Sequence, residues 1–174
     1  VPDAQTVASG WDIHRRTPRF ELPDPRLRAG LERARAQVLL AHDGSSVRRD
    51  GHRCEDLEPG VTEVILGALD VVDHPADVGS VLARWVDRVV DPEPAVDAML
   101  LSSVAHHWLA HRSDPLRDWM LPEIAAAVER LDRAGRKGRF DTPADQIRAR
   151  RSLQRVARLL AGSDQPDGAR AVLD

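Results

Sequence analysis

Three histidines, His106, His107 and His111, stand within six residues of one another. His107 and His111 are four apart, a spacing that puts both imidazoles on one helical face, where their nitrogens can ligate one divalent metal ion. A third ligand should be a carboxylate or a histidine, and the sequence nominates none clearly. The apolar stripe of the same segment passes through both positions, so the pair also reads as partly buried, hydrogen-bonded histidines near a helix C-terminus, where the dipole favours a cation. Carboxylates form two further groups. Asp50, His52, Arg53, Glu55, Asp56 and Glu58 crowd into nine residues, and Glu55 and Asp56 are candidates for acid–base work, one kept protonated by its surroundings and one ionised. The alternative is a solvated acidic loop. Glu93 and Asp97 make the other pair, at a helix start where carboxylates favour the positive end of the dipole.

The elements that must position these groups are helices separated by Pro, Gly and Asp. The first is expected over Pro25 to His42, with Asp24 as N-cap, Pro25 at its first position and Leu27, Leu31, Ala34 and Val38 on one face. A polar loop, Ser45 to Leu57, carries the acidic group. The second helix begins near Pro59 and ends at His74-Pro75, because the residue before proline is pushed out of the helical region. The third spans about Ala76 to Val90. The fourth, about Ala95 to Arg112, has the stripe Val96, Leu100, Val104, His107 and His111. Asp114 caps the fifth, Pro115 to about Ala134, and a basic loop, Gly135 to Asp141, comes next. Thr142-Pro143 opens the sixth, to about Ala161, and a short seventh is expected after Pro166. Strand signals are nearly absent.

The fold class is therefore all-α, an array of antiparallel helical hairpins. Helix starts near 59, 95 and 143 form a loose repeat of the kind stacked hairpins show. The organisation expected is an extended arm over 1–23, with Trp11 and Phe20, and a helical-hairpin domain over 24–174.

Composition narrows the partners. The 174 residues carry 25 Lys+Arg and 28 Asp+Glu, a net charge of −3, which argues against a nucleic-acid binder held by phosphate contacts. Lys137 is the single lysine, leaving 24 arginines among the 25 basic residues, a bias that points to a GC-rich bacterial genome. Cys54 is alone, so there is no disulfide framework and no thiolate cluster. No run of about 18 apolar residues is available to span a membrane, and a cytoplasmic location is the default. Trp85, Trp108 and Trp119 fall on helices, where core packing is the ordinary role; an exposed indole would instead stack on a sugar ring.

Two resemblances add to this reading. Val38-Leu39-Leu40-Ala41-His42-Asp43-Gly44 is similar to the centre of an HD-type metal phosphohydrolase, a family that also needs an earlier histidine, for which His14 is the one candidate. More extensively, Glu21-Leu22-Pro23-Asp24-Pro25-Arg26-Leu27, the helix end Leu39 to Gly44, Gly67-Ala68-Leu69-Asp70 with His74, Ala98 to Trp108, and Leu121 to Val128 after Asp114 resemble the six-hairpin (α/α)6-barrel glycosidases of glucoamylase and trehalase type, over roughly residues 20 to 135. The aromatic-Arg-Asp motif of that family is missing at Pro59-Gly60-Val61, and Pro94 stands where an aromatic partner of Glu93 is expected.

The resemblance implies an incomplete α/α toroid: either part of a larger chain or a shortened relative that has lost catalysis. The expected function is a glycosidase-like helical domain without a complete catalytic set, acting as a structural or carbohydrate-associated module. Its expected partners are a carbohydrate and a partner domain or second copy, with no nucleic acid, no membrane and no cofactor. An inverting mechanism would pair Glu93 with Glu55 or Asp56, about 6.5–9.5 Å apart. Two other classes remain open: a metal-dependent hydrolase using His107 and His111 with carboxylates, and a purely helical interaction adaptor.

Overall fold

The described residues of this computed structural model are 22–41, 59–72, 74–88, 92–112 and 114–162, with short pieces at 3, 5, 47–49 and 52–53. Among them the helices are α1 (Pro25–Leu40), α2 (Pro59–Val71), α3 (Pro75–Arg88), α4 (Pro94–His111), α5 (Asp114–Arg136) and α6 (Pro143–Ala161). The protein is all-α. The only departure described is a two-residue antiparallel ladder, β1 (Arg48–Arg49) with β2 (His52–Arg53), inside the loop between α1 and α2. No helix among the described residues is long and apolar enough to cross a membrane.

Local chemistry explains where these helices start. Five of the six begin at a proline, whose fixed φ suits the first turn and whose missing N–H has no partner to lose there. Two are also capped by side chains: Asp24 Oδ1 accepts from the Arg26 N–H at 2.7 Å, and Thr142 Oγ1 from the Asp145 N–H at 3.2 Å. Helix α4 stops at Arg112, which takes a left-handed conformation with φ 53°.

Packing centres on α4, which contacts α2, α3, α5 and α6, most extensively α6. Ten of its eighteen residues are buried, as expected of a helix surrounded on nearly every side. Around it the core collects Leu66 and Leu69 of α2, Val78, Leu82 and Trp85 of α3, Ile124 and Leu131 of α5, and Val156 and Leu159 of α6. The expected neighbours α2–α3 and α4–α5 do pack together, so the described helices form a bundle around α4.

Trp85 and Trp108 are core residues, while Trp119 is 52% exposed. The Trp108 indole N–H donates to Asp114 Oδ1 at 3.1 Å, and the Arg112 guanidinium lies 4.4 Å over its ring. That ring also explains Gly162, where a Cβ would sit 2.9 Å from Trp108 Cη2.

Helix α1 departs from its expected face. Leu27 is 64% exposed and Ala34 is exposed, whereas Arg35 is the buried residue. Its main described neighbour is α2, so a stripe set by periodicity does not become a buried face along its whole length. The expected arm over 1–23 and the seventh helix after Pro166 lie largely or wholly outside the described residues.

Candidate functional site

The histidine pair lies where helical spacing puts it. His107 is 2% exposed, and the His107 and His111 rings lie 5.0 Å apart between centroids, tilted by 41°. The third member comes from α2. Asp70 occupies the buried stripe Leu66, Leu69, Asp70, and the docking of α2 on α4 brings its carboxylate to both rings.

The His107 Nδ1–H donates to Asp70 Oδ1 at 2.7 Å, and His111 Nε2 lies 3.2 Å from the same oxygen. That second approach is close without being aligned: His111 Nε2 is buried and makes no hydrogen bond. The Asp70 and His107 side chains are each 2% exposed, and that of His111 20%, so the cluster reaches solvent on the His111 side.

Asp70, His107 and His111 offer one ligand atom each within 4.8 Å of one another. A tetrahedral ion with bonds of about 2.0–2.1 Å needs neighbouring ligand atoms about 3.3 Å apart. The 3.2 Å between Asp70 and His111 already fits. The 2.7 Å between Asp70 and His107 must open by about half an ångström as the ion replaces the Nδ1 proton. Two imidazoles and a carboxylate suit zinc and its neighbours in the transition series.

Asp70 is the residue that sequence reasoning misses. It stands within the segment likened to a glycosidase helix, with no role of its own there. The signal available is an ionisable residue inside the apolar run Val64 to Val72.

The other site residues fare differently. Glu55 and Asp56 lie outside the described residues, as do Cys54, His14 and the His42-Asp43 dipeptide. Glu93 is exposed at the N-cap of α4 and makes no side-chain cap hydrogen bond. It lines an open cleft of about 460 Å³ with Asp97, Arg130, Arg133, Lys137, Arg139 and Asp141 among others.

Asp97, expected to serve the helix dipole, is instead buried and held by a fork. Arg130 of α5 donates through Nε at 2.9 Å and Nη2 at 2.7 Å to its two oxygens, and Nη2 also reaches Glu123 Oε1 at 2.6 Å. The hydrogen bond to Asp97 outweighs the opposing effect of burial and raises the guanidinium above its already high ordinary range.

No family model, curated protein or solved structure matches the chain, so the case for a function rests on the geometry of Asp70, His107 and His111.

Proposed function

We propose that this chain is a metal-binding helical protein of the hydrolase class, its divalent transition-metal ion held by Asp70, His107 and His111. One observation carries the reading: three ligand atoms from two helices converge within 4.8 Å while His111 Nε2, buried, has no hydrogen-bond partner. A buried polar atom left unpaired costs about 1–3 kcal/mol, and a ligated ion would satisfy it.

Three protein ligands leave a fourth position for water, the arrangement of catalytic rather than structural zinc sites. Solvent would approach that position along the His111 ring, whose side chain is 20% exposed although its Nε2 is buried. An ion there would lower the pKa of its bound water and supply hydroxide near neutral pH.

Metal content measured by mass spectrometry, after purification without chelator and again after loading with zinc or cobalt, tests the site. About one ion per chain is expected, falling to background in His111→Ala, while the circular dichroism of that variant, altered at a side chain 20% exposed, should stay that of the parent. A chain that takes up no stoichiometric ion under either condition would reduce the cluster to a buried Asp–His pair.

A further inference from the structure

One turn before His107, the seam between α2 and α4 holds a second polar feature. Glu63 and Gly67 of α2, Ser102, Ser103 and His106 of α4 and Arg155 of α6 line a small open cavity of about 150 Å³, with His106 and Arg155 exposed at its mouth. None of the six belongs to the Asp70–His107–His111 cluster, so a ligand in this cavity needs no metal ion.

Two observations single the cavity out. Ser103 is 6% exposed, yet its buried hydroxyl has no hydrogen-bond partner. A Cβ built on Gly67 would meet nothing within 4 Å, so this glycine leaves space where most residues would fill it. The polar groups also differ by side. Arg155 Nη1 donates to Ser102 Oγ, and the Ser103 hydroxyl lines the same cavity, while Glu63 offers only acceptors.

We propose that this cavity binds a small oxyanion, a carboxylate or phosphate group, that also presents one hydrogen-bond donor. The anionic oxygens take the Arg155 side and the Ser103 hydroxyl, a charge-assisted arrangement. The ligand's own O–H or N–H faces the Glu63 carboxylate, which would otherwise repel an anion. Hydrogen phosphate and glycolate, with five heavy atoms each, are small oxyanions of a size suited to a cavity of about 150 Å³.

The test is thermal unfolding of chelator-treated protein in sodium phosphate, sodium glycolate and sodium acetate, each against sodium chloride of equal ionic strength. A ligand that binds only the folded state raises its melting temperature. Phosphate or glycolate should add a few degrees over chloride, and whichever does so identifies the source of the oxyanion. Acetate, lacking the donor, should add less; equal stabilisation by acetate would overturn the role given to Glu63.

Two variants separate a site from a packing flaw. Ser103→Ala should raise the melting temperature of the ligand-free protein, because it removes an unpartnered hydroxyl, and should weaken the ligand at least about tenfold. Gly67→Leu, on a helix that prefers leucine to glycine, should fill the space and abolish the response. No rise beyond chloride, or a rise that persists in both variants, means an adventitious ion only and overturns the proposal.

Discussion

Helix α4 carries a buried aspartate partnership near each end, and the two are built differently. Near its start, Asp97 is 1% exposed and both its oxygens meet the planar fork of Arg130. Toward its end, Asp70 of α2 presents one oxygen to two imidazoles, of which only His107 is aligned to donate. A guanidinium matches a carboxylate in shape and in the number of donors, so the first pair leaves Asp97 fully engaged. A neutral imidazole keeps a lone pair on one ring nitrogen, so the second group retains coordinating capacity. Burial of charge alone therefore does not mark a functional site; unspent polar capacity inside a buried cluster is the more informative sign.

The largest effect should come from the closed pair. Arg130→Ala takes the guanidinium fork from the buried Asp97 carboxylate and should lower stability by up to about 3 kcal/mol, read from urea denaturation. The joint replacement Asp97→Leu with Arg130→Met should recover most of that loss, since the desolvated charge goes with its partner. If Arg130→Ala costs nothing, the contrast between the two ends fails at its firmer half.

At the open cluster, Asp70→Asn keeps the shape and an acceptor for His107 but removes the charge. It should cost about 1–2 kcal/mol in metal-free protein and should reduce bound metal to background, read by mass spectrometry of the loaded protein. His111→Ala sharpens the comparison further. Its effect on metal-free stability should stay within about 1 kcal/mol, while the stabilisation given by added zinc disappears. A large loss of metal-free stability would show that His111 is a structural partner of Asp70.

The smallest effect is at the rim of the closed pair. The Glu123 side chain is 29% exposed, and Glu123→Gln should change the unfolding free energy by only about 0.5 kcal/mol, because an ion pair near solvent contributes little. Acidification should release metal from the open cluster before it disrupts the fold, since ligand nitrogens and oxygens must be deprotonated to bind; metal content after dialysis at successive pH values tracks that release.

Much of the scaffold is legible in the chain. Proline and capping residues mark helix starts because the first turn's N–H groups have no intrahelical acceptor, a requirement met within a few residues. Thr142-Pro143 and Asp24-Pro25 carry that signature and open α6 and α1. The inward face of α1 is not legible, because periodicity names an apolar stripe but not how far along its length a neighbour covers it. Asp97 reads in sequence as a dipole partner for the same kind of reason; nothing near it announces Arg130.

By itself, then, the sequence determined the all-α class, the helix starts and the alignment of His107 with His111, all consequences of the 3.6-residue helical turn and of chemistry local to each segment. Tertiary structure decided which carboxylate those histidines meet. Asp70 lies 37 positions from His107, and Asp97 lies 33 from Arg130. Each helix carries its polar residues on a face set by its own repeat, but which faces oppose each other depends on how α2, α4 and α5 dock. That docking is a sum of apolar contacts spread over several helices, and no local pattern in any one of them encodes it.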